Sequence, residues 1–166
     1  MARATSPVPK GFHTVTPHLV IRGAAKAIDF YKRAFGAEEL MRMEGPGGAI
    51  GHAELKIGDS VVFLADEFPG APSKSPQTLG GTTATLNLYV PDVDKTVQQA
   101  VEAGSKVVMP VADMFWGDRY GKLTDPFGHS WSMATHKEDV APAEMQKRMQ
   151  AHMAKMSEQQ KTRTAG

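Results

Sequence analysis

Alternating apolar and polar residues in the first part of the chain predict one strand, one helix and three further strands. In the strand predicted over 14–21, Leu19 and Ile21 share one face, because side chains two residues apart point the same way in a strand. Residues 24–35 place apolar side chains at helical spacing, and Gly36 follows them as a helix stop. The remaining strands of this run are predicted over 38–43, 50–57 and 60–65.

The same order of elements returns after a segment rich in proline, glycine and serine. A strand, a helix and a second strand are predicted over 83–90, 93–103 and 106–109. Residues 115–131 then predict a hairpin, since Asp125-Pro126-Phe127-Gly128 fits a β-turn in which proline pre-sets φ and glycine accepts a left-handed conformation. Each half of the chain is therefore predicted to contain a strand, a helix and three further strands, in that order.

The two halves form an internal repeat. Gly36 and Gly104, which end the two helices, are 68 residues apart, and matching positions on the first and last strands are 67 and 69 residues apart. A single helix covers one face of each four-stranded sheet, so the other face needs a partner or forms a cavity. The repeat predicts an α+β protein divided into an N-terminal arm, a first module, a linker, a second module and a helical tail: 1–13, 14–66, 67–81, 82–136 and 137–166.

Composition excludes several classes of function. Lysine plus arginine number 19 and aspartate plus glutamate 18, so the net charge of +1 gives no reason to expect a nucleic acid or an anionic membrane as partner. The absence of cysteine excludes disulfides, thiolate metal sites and a cysteine nucleophile. No stretch of about 18 apolar residues predicts a membrane span, and no signal peptide is recognised, so a cytoplasmic protein is expected.

Two groups of residues have side chains suited to chemistry or to ligand binding. His52 and Glu54 share a strand face and fit an acid–base pair, although a solvated face of an amphipathic strand is the favoured interpretation. Trp116 and Tyr120 lie close to the charged pair Asp118-Arg119, an arrangement typical of a small-molecule pocket. A hairpin that only packs is the alternative. Exposure is the expectation for two further histidines, His129 and His136.

Three segments resemble the vicinal oxygen chelate superfamily of glyoxalases, bleomycin-resistance proteins and extradiol dioxygenases, and within it the PhnB-like branch. They are residues 25–37, 50–58 and 115–131, which lie within 14–136 and so involve most of the chain. The resemblance implies two βαβββ modules whose sheets pair into a curved, half-open barrel around a shared cavity. It also implies that the cavity holds the ligand and often a divalent metal.

The resemblance implies four metal-ligand positions, on the first and last strand of each module. In this chain they are occupied by His18, Phe63, Thr85 and Ser132. Only the imidazole is a strong ligand, since a phenyl ring cannot bind a metal and neutral hydroxyls hold one weakly. We therefore predict a vacated metal site with no metal and no cofactor.

The predicted ligand-binding residues are those four positions together with the aromatic and charged side chains of the last hairpin: His18, Phe63, Thr85, Trp116, Arg119, Tyr120 and Ser132. The sequence does not decide which face Arg119 occupies. The candidate catalytic residues, none of them firmly assigned, are His18, His52 and Glu54.

Three functions remain open. The first is a metal-independent protein that binds a small organic molecule. The second is a glyoxalase-like lyase, isomerase or dioxygenase that uses a rearranged metal site or a histidine or glutamate base. The third is a structural or regulatory dimer without a ligand. A homodimer is expected from the resemblance, and the tail helix adds an apolar stripe formed by Met145, Met149, Met153 and Met156.

Overall fold

A computed structural model describes the backbone of residues 6–164 and the side chains of residues 6–158. The first half contains β1, α1, β2, β3 and β4, at His18–Ile21, Ala24–Phe35, Glu38–Glu44, Ile50–Ile57 and Ser60–Asp66. The second half contains β5, α3, β6, β7 and β8, at Thr85–Tyr89, Val93–Ala103, Lys106–Asp113, Asp118–Thr124 and Ser130–His136. A short helix α2 (Pro76–Leu79) lies between the halves, and α4 (Pro142–Thr164) follows them.

Each half forms its own open four-stranded sheet. The strand orders are β1-β4-β3-β2 and β5-β8-β7-β6, with β1 parallel to β4, β5 parallel to β8, and the other neighbours antiparallel. This arrangement confirms the predicted α+β fold of two βαβββ modules with a C-terminal helix. A glycine ends each module's helix, as expected. Gly36 follows α1 and Gly104 follows α3, and both have positive φ.

Strand register corrects one detail of the predicted repeat. In the first sheet His18 pairs with Phe63, whereas in the second sheet Ser132 pairs with Asn87. Asn87, and not Thr85, is therefore the counterpart of His18 at the place where the first and last strands meet. The prediction was wrong by two residues because side chains two apart on a strand share a face, and alternation alone does not fix the register.

The core lies between the two helices and the helix-facing sides of both sheets. Helix α1 is buried along most of its length because it contacts its own sheet, helix α3 and the last hairpin of the second module. The ring centroids of Tyr31 and Phe35 on α1 are 5.5 and 4.7 Å from that of Trp131 on β8. Aromatic packing of this kind stabilises the junction of the modules through a large buried apolar area.

A buried carboxylate holds the last hairpin to the first module. One oxygen of Asp125 accepts hydrogen bonds from the backbone N–H groups of Phe127 and His129, both at 2.9 Å. The other accepts from the Tyr31 hydroxyl at 2.6 Å and from Trp131 Nε1 at 2.9 Å. The predicted turn is present, with Gly128 N–H donating to the Asp125 carbonyl. Asp125, the first residue of the turn, therefore stabilises the turn and also links the two modules.

The segments outside the modules take different courses. Phe12 of the N-terminal arm contacts the ring of Phe63 at a centroid distance of 5.9 Å. Helix α4 contacts the second module near its own middle, where the ring of His152 lies 5.3 Å from that of Phe115. The stripe residues Met149 and Met153 remain exposed. Within the described part of the chain, none of the helices is long and apolar enough to cross a membrane.

Replacement of the buried carboxylate should weaken the folded state. We expect Asp125→Asn to lower the free energy of unfolding by about 3 kcal/mol, because an amide offers one acceptor oxygen where four donors converge and directs its own N–H groups at the others. Denaturant unfolding of this variant and of Asp29→Asn, a change to an exposed aspartate on α1, provides the measurement and its control. Equal stability of the two variants would contradict the role assigned to Asp125.

Candidate functional site

The face of the first sheet that is turned away from α1 carries two histidines and a phenylalanine. His18, His52 and Phe63 come from three different strands, and their ring centroids are separated by 4.8 to 6.3 Å. Burial, and secondarily the neighbouring His52, lowers the pKa of His18 below its ordinary value of 6.5. His18 is therefore a mostly neutral imidazole at neutral pH, able to accept a proton or a hydrogen bond.

His52 and Glu54 lie together on this face, as predicted. The distance from His52 Nε2 to Glu54 Oε1 is 3.4 Å, which is long for a hydrogen bond. By register Met43 and Met41 of β2 stand opposite the two residues, so apolar side chains border the pair. The first sheet therefore presents an imidazole–carboxylate pair beside an aromatic and thioether surface.

On the corresponding face of the second sheet, the predicted hydroxyls are already engaged. Ser132 Oγ donates to Asn87 Oδ1 at 2.6 Å, and Thr85 Oγ1 donates to Ser130 Oγ at 3.1 Å. Asn87 was missed by the sequence analysis, although its alternation with Leu86 and Leu88 places it on the open face. Because both hydroxyl hydrogens are already donated, Ser132 and Thr85 can still accept a hydrogen bond from a polar ligand through their oxygen lone pairs.

Asp118 organises the end of the second sheet's open face. Its carboxylate is 6% exposed and accepts hydrogen bonds from Trp116 Nε1 at 3.1 Å and from the Tyr89 hydroxyl at 3.3 Å. The ring of Tyr120 stands at 76° to that of Trp116, with centroids 5.6 Å apart. The negative charge of Asp118 is the main cause that raises the pKa of Tyr89. The predicted pair Trp116 and Tyr120 is thus part of a larger aromatic cluster, which also includes Tyr89 and is hydrogen-bonded to the Asp118 carboxylate.

His136 joins this cluster from the end of β8. Its Nδ1 lies 2.7 Å from Asp118 Oδ1, and its Nε2 lies 3.0 Å from Asp139 Oδ1. Both nitrogens face acceptors, so both contacts are hydrogen bonds only when the ring is protonated. The contact with Asp118, and then that with Asp139, raises the pKa of His136 above 6.5. The side chain is half exposed, as predicted, but it is held by two carboxylates.

Arg119 lies on the opposite face from the other predicted ligand-binding residues. Its guanidinium donates to both oxygens of Asp94 at 2.6 and 2.7 Å, and to Asp113 at 3.2 Å. Arg119 shares the strand parity of buried Leu123, which places it on the side of α3. Its inclusion in the predicted binding set is therefore corrected, because α3 supplies its carboxylate partner.

The contacts gather the remaining predicted residues into separate groups on the two sheets. His18 and Phe63 belong to the first group, and Trp116 and Tyr120 to the cluster on the second. A groove of about 610 Å³ runs between the modules, and His18 is the member of the predicted set that lines it. The expectation that the two open faces form one shared ligand cavity stays a prediction.

The residues at the four superfamily metal positions do not fit a divalent metal. With the register corrected they are His18, Phe63, Asn87 and Ser132, a set with one imidazole and no carboxylate. Over the described side chains, no group of three or more histidine, cysteine, aspartate or glutamate residues is arranged to hold a metal ion. This donor set gives no basis for a reaction step through a metal.

The chain is similar in sequence to a known protein family and to individual members of known proteomes. The family model described as Glyoxalase/Bleomycin resistance protein/Dioxygenase superfamily matches residues 11–133. An uncharacterised protein of Mycobacterium tuberculosis is 47% identical over 138 residues, which make up 81% of this chain and 81% of that protein.

Two solved structures share the fold. The PhnB protein from Bacillus cereus is 16% identical with a TM-score of 0.59, over 74% of this chain and 99% of that chain. TnmS3, an antibiotic binding protein from Streptomyces, is 24% identical with a TM-score of 0.56, over 75% of this chain and 96% of that chain. At these identities the likeness concerns the fold alone.

The contacts of His136 should make stability depend on pH. Its pKa is higher in the folded state than the ordinary value of 6.5, so its stabilising effect is complete below that value and is lost as the pH rises through the folded-state pKa. We expect the melting temperature of the unmodified protein to exceed that of His136→Gln most at about pH 5.5, with the difference shrinking by about pH 9. His13→Gln, at an exposed position, is the control. A difference that grows with pH would contradict this account.

Proposed function

The chain belongs to the Glyoxalase/Bleomycin resistance protein/Dioxygenase superfamily, as its sequence predicted, and on this basis we propose that it is a metal-independent small-molecule-binding protein. One observation carries the proposal: the positions at which superfamily members bind a metal hold an aromatic ring, an amide and a hydroxyl beside a single imidazole. A fold with a ligand-binding face and without a metal donor set is suited to binding by shape and ring contact.

The aromatic cluster supports an organic ligand with a planar group. Trp116 and Tyr89 are fixed by their hydrogen bonds to Asp118, so their rings lose little conformational freedom when a ligand packs on them. Tyr89 is 67% exposed, which leaves its ring available for contact. TnmS3, an antibiotic binding protein, is a precedent on the same fold for binding a small molecule. Ser132 and Asn87 supply the polar groups that orient such a ligand.

Binding should be independent of metal and should require the indole of Trp116. A thermal-shift screen of planar organic compounds is expected to yield compounds that raise the melting temperature equally with and without a chelator. Trp116→Ala should reduce the affinity of those compounds by about tenfold, since a buried aromatic contact contributes on the order of 1–2 kcal/mol. Phe68→Ala, at a 39% exposed phenylalanine outside the cluster, should leave the affinity unchanged.

Two outcomes of the screen would reject this proposal. The first is a set of binders whose effect disappears with the chelator and returns with zinc or manganese. The second is the absence of any binder, which would favour the structural or regulatory dimer without a ligand.

An enzyme is the second candidate, and the geometry around His52 favours it. His18 is neutral because its pKa is lowered, His52 is adjacent to it, and Glu54 is adjacent to His52. A neutral imidazole beside a second imidazole and a carboxylate is a suitable general base. Chromatography of each binder after incubation tests this candidate: consumption of the compound that is lost in His52→Gln would establish catalysis in place of binding alone.

We propose that the protein is a homodimer that uses its outer strands. Strands β2 and β6 form edges of the two sheets and carry exposed apolar side chains: Leu40, Met41, Met43, Val107, Val108 and Met109. An exposed apolar edge strand is prone to associate with another chain unless it is covered. A second copy would cover this surface on both modules.

Association should be sensitive to a charge on β6. Light scattering of the unmodified protein at micromolar concentration is expected to give twice the chain mass of 17.9 kDa. Val108→Lys, at a 61% exposed position, should shift the protein towards the single-chain mass, because a lysine would have to be buried unpaired. Val101→Lys, at a 41% exposed position on α3, is the matched control. A single-chain mass for the unmodified protein would refute the dimer.

A further inference from the structure

Lys122 on β7 is a partly buried cation without a carboxylate partner. Among the described side chains, the partly buried lysines and arginines are Arg42, Arg119, Lys122 and Arg148. Each of the three arginines binds two carboxylates. Lys122 has neither an ion pair nor a side-chain hydrogen bond with any described residue. A partly desolvated charge is normally compensated by a partner, so this ammonium group is available to an anion from outside the chain.

Lys122 stands in the middle of the open face of the second sheet. Its strand has neighbours on both sides, and its register partners are Met109 on β6 and Ser132 on β8. Asn87 on β5 follows Ser132 in the same row. Because paired residues of neighbouring strands share a face, Lys122 lies on the face that carries these two polar side chains. Arg119, three residues earlier on β7, lies on the opposite face.

The surroundings of Lys122 add positive charge and hydrogen-bond donors. Lys106 pairs with Thr124 on the same face, is exposed, and also has no ion-pair partner among the described residues. The Ser132 hydroxyl donates to Oδ1 of Asn87, so the Asn87 N–H groups remain available as donors. Cations and N–H donors together favour a ligand that accepts hydrogen bonds and carries a negative charge.

The carboxylate that shares this face, Asp118, does not neutralise the lysine. By register, it is the only acidic residue among the strand residues of the second sheet's open face. Asp118 and Lys122 are four residues apart on β7, a separation of about 13 Å along the strand. The oxygens of Asp118 are already bound by His136, Trp116 and Tyr89. The positive charge at the middle of the face is therefore uncompensated.

An aromatic side chain adjoins the lysine. Tyr120 precedes Lys122 by two residues and so lies on the same face, about 7 Å away along the strand. The ring of Tyr120 is partly exposed, and its centroid is 5.6 Å from that of Trp116. A ring that packs on Tyr120 and an anionic group that reaches Lys122 therefore fit within one small molecule.

We propose that the open face of the second sheet binds an aromatic carboxylate, whose anionic group contacts Lys122 and Asn87 and whose ring packs on Tyr120. This inference rests on the proposed function and adds the charge of the ligand to it. A carboxylate has two acceptor oxygens, which can receive one hydrogen bond from the ammonium group and one from the amide N–H. Lys106 adds attraction from the neighbouring row without direct contact.

Cinnamate and cinnamamide are matched probes, since they share a planar framework and differ in charge. In calorimetric titration of the full chain, we expect cinnamate to bind about tenfold more tightly than the amide, because hydrogen bonds between ionised groups are the stronger ones. Raising the salt concentration from about 50 mM to about 500 mM should weaken the binding of cinnamate and leave that of the amide unchanged. Cinnamate should also shift the NMR signals of the Asn87 side-chain N–H groups.

Variants of two lysines test the assignment to Lys122. Lys122→Met should reduce the affinity for cinnamate to that for cinnamamide, whereas Lys122→Arg should retain the preference for the acid. Lys95→Met, at an exposed position on α3, makes the same change in net charge and should retain the preference as well. The Asn87 signals and the salt dependence are measured on the unmodified protein, so the test stands even where Lys122→Met fails to fold.

Several results would overturn this inference, and they are distinct from failure of the proposed function. Equal affinities for the two probes, or a preference that survives in Lys122→Met, would reject the anionic ligand and leave the binding of an organic molecule intact. Displacement of cinnamate by inorganic phosphate at equal concentration would assign the lysine to a small inorganic anion and would also reject the inference. Failure of both probes to bind would reject it too, whereas the proposed function fails only when the wider screen of planar compounds yields no binder.

Discussion

The four hydrogen bonds accepted by the Asp125 carboxylate connect the last hairpin with both modules. Two come from the hairpin's own backbone and fix the turn, one comes from Trp131 in the core, and one comes from Tyr31 on the helix of the first module. Burial, and then the nearby negative charge of Asp125, raise the pKa of Tyr31 well above its ordinary value of 10.0, so the hydroxyl remains a donor. A buried carboxylate is tolerated because all its acceptors are used. The interface between α1 and β8 depends on this arrangement.

The division of each sheet into two faces separates the packed core from the open surfaces on which ligand binding is proposed. One face of each sheet is covered by helices and aromatic rings, and the other has no covering helix in the described chain. Side chains alternate strictly between the faces, so Leu86 and Leu88 are part of the packed side while Asn87 is turned to the open one. The same alternation separates Arg119, which pairs with α3, from its neighbour Tyr120. Core packing and the proposed ligand-binding surface therefore use alternate residues of the same strands.

The contacts on the open faces are hydrogen bonds and ring packing, which are weaker than metal–ligand bonds. A metal site holds its ligands by strong directional bonds, whereas Ser132 and Asn87 hold each other by one hydrogen bond. Phe63 instead packs with His52 and with Phe12 of the N-terminal arm. Rigidity at the second sheet comes from Asp118, which fixes Trp116 and Tyr89 and is itself held by His136. These contacts order the surface in the absence of a ligand, which would lower the entropic cost of the proposed binding.

The sequence by itself determined the order of elements, the internal repeat, the turn at Asp125 and the face on which most of the candidate site residues lie. These features follow from local periodicity and backbone preference, which a short segment contains completely. Only the tertiary structure decided that Asp125 accepts from Tyr31, that Asn87 is the counterpart of His18, and that His129 is buried. These properties depend on the register between strands and on how one module packs against the other. Residues far apart in the chain make those contacts, and no local pattern specifies them.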